Sequence, residues 1–163
     1  MNIFDQAMEL EKEGEALYRE FSLESPNQGM RNIFSWLSDQ ERKHYEIFEK
    51  MKKGKPASVA KSTILHDVKD IFDDWKDNTK CIDIKTTQAD VYRRALAIEI
   101  KSIMVYEKYA SAAPASQKEI FLKIAKEEKG HKRIVESIIE FIIKPEVWAE
   151  NAEFSHLGED YYL

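Results

Sequence analysis

Two segments of this chain carry the same Glu-x-x-His motif at the same place in a helical pattern. They are DQERKHYEIFEKM (39–51) and KEEKGHKRIVESI (126–138), and they lie 87 residues apart. The motif residues are Glu41, His44, Glu128 and His131. In each motif both residues fall on the apolar stripe, because residues three apart share one helix face. A buried carboxylate is costly unless a partner compensates its charge, so the fold has to supply one to both motifs.

The helices that precede the two motifs also repeat each other. ELEKEGEALYREF (9–21) aligns with AIEIKSIMVYEKY (97–109) at an offset of 88 residues. The alignment pairs Glu11 with Glu99, Gly14 with Ser102, and Tyr18 with Tyr106. The two offsets differ by one residue, which a loop absorbs, and the unit is too long for a solenoid repeat. The chain is therefore interpreted as one helical hairpin used twice.

Apolar periodicity predicts four helices, each spanning roughly 30 Å. The predicted ranges are 2–23, 28–53, 88–112 and 116–144. Short connections make the first and second helices antiparallel neighbours, and likewise the third and fourth. Residues 54–87 are too many for a structureless loop, and the apolar spacing of 62–77 predicts a short helix. The predicted fold class is all-α, a four-helix bundle with a long crossover between helices two and three.

The division of the chain into a bundle and a tail is a second prediction. Residues 1–144 are expected to form the bundle, including the crossover. Residues 145–163 are rich in aromatic and acidic side chains. We expect this tail to pack on the bundle or on a partner subunit.

Composition and charge exclude several classes of protein. The net charge of −5 argues against nucleic-acid binding, which needs a basic face. The chain has no apolar run of about 18 residues, and its acidic start does not resemble a signal peptide. The single cysteine, Cys81, allows neither an intramolecular disulfide nor a Cys-x-x-Cys metal site. We expect a cytoplasmic protein that binds neither nucleic acid nor membranes.

A pair of divalent metal ions explains why so many charged side chains would share one core. Four glutamates turned inward repel one another and lose their hydration, whereas two divalent cations neutralise four carboxylates. Oxygen donors with one imidazole per metal suit iron or manganese, and thiolate-preferring metals are disfavoured. One Glu from each of two helices plus Glu-x-x-His from the other two is the ligand pattern of ferritin-like di-iron proteins. The alternative is a plain bundle with solvated charge pairs.

The four motifs LEKEGEALYREF, DQERKHYEIFEKM, AIEIKSIMVYEKY and KEEKGHKRIVESI resemble the rubrerythrin-like branch of the ferritin-like di-iron carboxylate family. The tail segment PEVWAENAEFSHL is similar to an extension of some small members. The resemblance implies a ferritin-like bundle that holds two iron ions per chain, with manganese or zinc as alternatives. The implied metal ligands are Glu11, Glu41, His44, Glu99, Glu128 and His131. Spacing leaves open which glutamates bridge the metals.

The same resemblance implies a function in oxidative-stress defence. Such a protein reduces hydrogen peroxide or O₂ with electrons from an external donor, such as a rubredoxin-like protein, and forms a homodimer. A full rubrerythrin resembles this domain followed by a rubredoxin module with two Cys-x-x-Cys pairs, which we do not expect here. Rubrerythrins also carry an extra glutamate where this chain has Ser102. In the family that carboxylate takes part in a ligand switch during peroxide reduction.

Other functions fit the same ligands, because fold and ligand set do not fix a reaction. These are ferritin-like iron binding, oxidation or storage, a manganese catalase, a hydroxylase, and a structural bundle with a vestigial site. Tyr18 and Tyr106 would donate hydrogen bonds to ligand carboxylates, act as redox-active neighbours, or pack as core aromatics. Gly14 and Ser102 would leave space for an oxidant or serve tight packing. Substitute ligands would be Glu15 and Glu127. No role at the site is predicted for His66, Cys81 and His156.

Overall fold

Helices account for most of the described chain. The computed structural model describes residues 1–78 and 88–145 and Trp148, and these residues form five helices and no strand. The helices are α1 (Ile3–Glu24), α2 (Gln28–Lys52), α3 (Ile64–Asp77), α4 (Gln88–Ala112) and α5 (Ala115–Ile143). The four long helices lie within one or two residues of the predicted ranges, and α3 is the short crossover helix. The predicted all-α bundle with a long crossover is confirmed.

Local hydrogen bonds explain where the first two helices begin and end. The side chains of Asn2 and Asn27 each accept a hydrogen bond from the backbone N–H three residues further on, at 2.9 and 3.0 Å. Gly54 follows α2 with φ of +65°, a conformation that glycine adopts without steric cost. The Lys55 N–H then donates to the Lys50 carbonyl at 2.9 Å, as in a Schellman cap. These caps fix the reversal after α1 and the exit into the crossover.

The bundle consists of two helical hairpins and a bracing helix. The hairpins α1/α2 and α4/α5 meet through α1 against α4 and α2 against α5, and α3 packs on α2 and α5. Gly130, in the middle of α5, lies under α3. A Cβ added there would sit 3.3 Å from the Leu65 side chain. Leu65 is a flexible neighbour that can shift slightly, so this contact alone does not require glycine, which inside a helix costs about 1 kcal/mol relative to alanine.

The apolar core falls into two clusters near opposite ends of the bundle. One contains Tyr18, Phe34 and Ile138 and extends to α3. The other is centred on Phe48 and Phe121. Between them, all four long helices turn polar side chains inward. The core is therefore interrupted by a polar layer, which is the candidate site.

The described part of the predicted tail is limited to Pro145 and Trp148. Trp148 is buried, and its ring packs edge-on against Phe72 and Phe141 at centroid distances of 5.6 and 5.0 Å. The remaining tail residues, as well as 79–87 with Cys81, lie outside the described residues. The division into a bundle and a tail stays a prediction. No described helix has the length and apolar character that crossing a membrane requires.

Candidate metal centre

The polar layer brings together the six residues that the two repeats predicted. Each residue is at most 1% exposed, so water does not compensate these charges. The residues are Glu11 on α1, Glu41 and His44 on α2, Glu99 on α4, and Glu128 and His131 on α5. Such burial is rare for charged residues unless they are paired or coordinate metals.

The six side chains form two overlapping groups of four. In each group, one ligand atom from every residue lies within 4.8 Å of the others. One group contains Glu11 and His44, and the other contains Glu99 and His131. Glu41 and Glu128 belong to both groups. The shared pair therefore lies between two positions that each have one further carboxylate and one imidazole.

Both imidazoles turn the same ring nitrogen toward the centre of the layer. His44 Nδ1 lies 2.8 Å from Glu128 Oε1. His131 Nδ1 lies 3.0 Å from Glu41 Oε1 and 3.1 Å from Glu128 Oε2. The two rings are nearly parallel, with centroids 5.7 Å apart. This arrangement gives each group of four one inward-facing nitrogen.

The two tyrosines support the carboxylates across the hairpins. The Tyr18 hydroxyl, on α1, donates a hydrogen bond to Glu99 on α4. The Tyr106 hydroxyl, on α4, donates to Glu11 on α1 at 2.5 Å. Each tyrosine thus contacts the glutamate of the other hairpin, although its own helix carries an equivalent glutamate two turns earlier. Hydrogen bonds of this kind orient metal-binding carboxylates.

Gly14 provides the space that the Glu41 side chain occupies. A Cβ added at Gly14 would lie only 2.6 Å from Glu41 Oε2. The absence of a side chain on α1 therefore lets the carboxylate of α2 enter the layer. Of the two readings of Gly14, this geometry favours close packing, with a carboxylate as the group that approaches. Ser102, its counterpart on α4, is also buried.

The two substitute ligands have different surroundings. Glu15 pairs with Arg19 at 2.6 Å, and its side chain is 20% exposed. Glu127 Oε2 lies 2.6 Å from His44 Nε2, the outer ring nitrogen. Neither belongs to the two groups of four, in the part of the chain that the structure describes. The sequence analysis did not predict that Glu127 contacts the outer nitrogen of His44. The only sequence feature pointing to such a role is its position next to Glu128.

Burial and mutual repulsion determine the protonation of the layer. Burial raises the pKa of Glu11 and Glu99 well above the usual range, and the Glu128 carboxylate raises both further. Burial also opposes ionisation of Glu128, but the two imidazoles outweigh it and lower the pKa of Glu128. Burial disfavours charged imidazoles, yet Glu128 outweighs this effect, raising the pKa of His44 and bringing that of His131 to about 10. In the absence of metal ions, protonated imidazoles of His44 and His131 are therefore the positive charges that balance Glu128.

Unsatisfied oxygen atoms test whether metal ions fit this layer. Glu11 Oε2 and Glu99 Oε2 are buried and have no hydrogen-bond partner among the described residues. One of these residues belongs to each group of four, so a cation in each group would satisfy both. Carboxylate oxygens with one imidazole nitrogen suit iron or manganese. The buried cluster therefore fits a di-metal site.

The residues for which no role was predicted stand apart from the layer or cannot be placed. His66 is exposed on α3 and takes no part in the two groups. Cys81 and His156 lie outside the described residues.

Comparison with known proteins agrees with this geometry. A family model described as rubrerythrin matches residues 2–79 and 90–154. No curated protein and no solved structure matched the chain. The matched ranges include all six residues of the buried layer and both tyrosines that support it. Because the match covers most of the sequence, the chain belongs to the rubrerythrin family.

Proposed function

We propose that this chain is a non-haem di-iron redox protein that reduces hydrogen peroxide or O₂ with electrons from an external donor. The observation that carries the proposal is the pair of overlapping four-residue groups, which share two carboxylates. Two metal ions that lie close together need carboxylates that can contact both of them. Membership of the rubrerythrin family supports the same reading.

The geometry supports a specific role for each residue. Glu41 and Glu128 would bridge the two metals, because they belong to both groups. Glu11 with His44 would complete one position, and Glu99 with His131 the other. When bound, two ferrous ions supply the two electrons that, with two protons, convert one peroxide into two water molecules.

The surrounding residues would hold the ligands and exclude bulk water. Tyr18 and Tyr106 would keep Glu99 and Glu11 in fixed orientations through their hydroxyl groups. The two apolar clusters close the layer from both ends of the bundle. In such a dry environment the carboxylates interact strongly with cations. The chain's own contribution is therefore positioning and desolvation.

Anaerobic titration with ferrous ion tests the metal site. We expect about two iron ions per chain, and loss of most binding in Glu41→Ala and in His44→Ala. Matched controls are Glu46→Ala and His66→Ala, which remove an exposed glutamate and an exposed histidine. Both should bind iron as the parent protein does. A wild-type protein that stays iron-free after anaerobic loading would overturn the proposal.

Ser102 favours a second candidate, ferritin-like iron oxidation with O₂ as the oxidant. Rubrerythrins carry an extra glutamate at this position, whereas this chain has the buried hydroxyl group of Ser102. Stopped-flow oxidation of the diferrous protein distinguishes the candidates. Faster oxidation by peroxide than by O₂ supports the peroxidase function, and the reverse supports iron oxidation.

The external donor and the homodimer remain part of the proposal. A rubredoxin-like protein would deliver electrons, and its ability to reduce the oxidised chain in a mixing experiment checks this. Size-exclusion chromatography with light scattering checks the dimer. A large multiple of the chain mass would instead favour a storage cage.

A further inference from the structure

The outer surface between α1 and α4 is a long groove, which we call the α1/α4 face. Its walls come from residues of α1 between 6 and 20 and from residues of α4 between 94 and 105. The hydroxyl groups of Tyr18 and Tyr106 cross between the same two helices to reach the carboxylates of the metal layer. The layer therefore lies directly behind this face.

The two helices of the face run in opposite directions, as the hydrogen bonds of both tyrosines show. Glu13 and Lys101 line both parts of the groove. Glu20 and Arg94 line only one part, at the end of α1 and the start of α4. Glu13 is therefore level with Lys101, and Glu20 is level with Arg94.

The two sides of the groove carry opposite charges. The α1 side is acidic, with exposed Glu9, Glu13 and Glu20, and the α4 side is basic, with exposed Arg94 and Lys101. None of the five takes part in an ion pair among the described residues. The 88-residue offset makes Glu13 and Lys101 equivalent positions of the two repeats, so this position carries opposite charges in the two hairpins.

Such a face is complementary to a second copy of itself. A two-fold axis parallel to the helices would lay α1 of one copy on α4 of the other and keep every residue at its level along the bundle. Glu13 would then meet Lys101 of the partner subunit, and Glu20 would meet Arg94 of the partner subunit. A two-fold axis across the groove would instead lay α1 on α1, with acid against acid, which like-charge repulsion opposes.

Small and apolar side chains are present where the two copies would touch. Ala16 and Ala97 are exposed in the middle of the face and lie at about the same level, which allows close approach of helices. Leu23 and Val91, about one turn beyond the outermost charged residues, are 79% and 40% exposed. At 1.5 Å per residue, the face is about 26 Å long, and two helices side by side make it about 20 Å wide. Two copies would bury on the order of 1,000 Å² in total, the lower end of specific interfaces.

We propose that two copies of this chain associate through the α1/α4 face, about a two-fold axis parallel to the helices. Glu13 and Glu20 of each copy pair with Lys101 and Arg94 of the partner subunit. The inference rests on the homodimer of the proposed function and deepens it by assigning the surface and the orientation. The second copy covers the side of the metal layer on which α1 meets α4, and association requires neither iron nor an oxidant.

Sedimentation of the metal-free full chain over a concentration series tests the face. We expect a dimer, and a dissociation constant raised about tenfold or more in Glu13→Lys and in Lys101→Glu, because each replaces two attractive pairs by two repulsive ones. Matched controls are Glu46→Lys and Lys43→Glu, which reverse exposed charges on α2. Both should dimerise as the parent protein does.

Mixing the two variants of the face gives the sharper result. In a mixed dimer the introduced lysine meets the introduced glutamate, and the Lys101 and Glu13 that each variant retains also meet. We therefore expect Glu13→Lys and Lys101→Glu to form mixed dimers at concentrations at which each alone is monomeric. Formation of the mixed dimer also shows that both variants fold.

Three results would overturn the proposal. A monomeric parent protein would leave the face to another partner. A dimer unaffected by both reversals would place the interface elsewhere and leave the homodimer itself standing. Absence of mixed dimers would mean that the charges do not meet between copies. Iron uptake is measured separately, so its failure is distinct from each of these.

Discussion

Replacement of Gly14 by alanine separates metal binding from folding. The added Cβ would lie 2.6 Å from Glu41 Oε2 and 3.2 Å from its Cδ. Non-bonded atoms in contact prefer separations of about 3.5 to 4.0 Å, so the carboxylate has to move by roughly 1 Å. The displaced group is the end of a flexible side chain, and the helices need not separate.

The two consequences of Gly14→Ala have opposite signs. Alanine inside a helix is favoured over glycine by about 1 kcal/mol, so the metal-free protein should be at least as stable as the parent. Loss of even an outer partner of a metal ligand typically lowers metal affinity about 10- to 100-fold. Displacement of Glu41 should cost at least as much, which corresponds to about 1.4 to 2.7 kcal/mol of binding free energy.

The assay compares two quantities on the same protein. Thermal unfolding of the metal-free variant gives the stability, and competition with a chelator gives the metal affinity. Gly130→Ala is the matched control, because its Cβ meets only the movable end of Leu65, at 3.3 Å. It should share the gain in helix propensity without losing metal affinity.

An unchanged metal affinity in Gly14→Ala would refute the reasoning, since Glu41 would then not depend on the open space at Gly14. Equal losses of affinity in both glycine variants would also refute it. The effect would in that case come from general helix packing.

Three further predictions concern the tyrosines, the pH dependence and the tail. Tyr106→Phe removes the hydrogen-bond donor to Glu11 and should lower metal affinity about tenfold. The control Tyr45→Phe should leave the affinity unchanged. Equal affinities of the two variants in chelator competition would contradict this prediction. The metal-free protein should lose stability as pH rises from 6.5 through about 10, because folding raises the pKa of His131. Metal uptake should release protons, which calorimetry in buffers of different ionisation enthalpy measures. A pH-independent melting temperature and no proton release would oppose this prediction. Trp148→Ala should lower the free energy of unfolding by about 3 to 5 kcal/mol in a denaturant titration, and an unchanged midpoint would mean that the tail contact does not stabilise the bundle.

The helices and the six residues of the layer could be predicted from the sequence, because both depend on register along single helices. Glu41 and His44 fall on the apolar stripe of α2, and the second copy of the motif repeats this placement. Burial on the stripe is sufficient to bring such residues into one core. The internal repeat then shows which residues of the two hairpins are equivalent, and this requires no distances between helices.

What could not be predicted depends on distances between helices. The sequence places Tyr18 near Glu11 on one helix, but the hydroxyl reaches Glu99 on another. The role of Gly14 likewise depends on how closely Glu41 of α2 approaches α1. Packing of side chains from several helices sets these separations, and no spacing within one segment encodes them.

The crossover between the two hairpins has a consequence for how their sequences vary. In a symmetric dimer of identical hairpins, every substitution would appear on both sides of the centre. Here the hairpins are covalently joined, so each can change alone. Glu127 beside His44, opposite Gln40 in the other copy, is one such difference. A single chain can thus place two similar groups of buried ligands in chemically unequal surroundings.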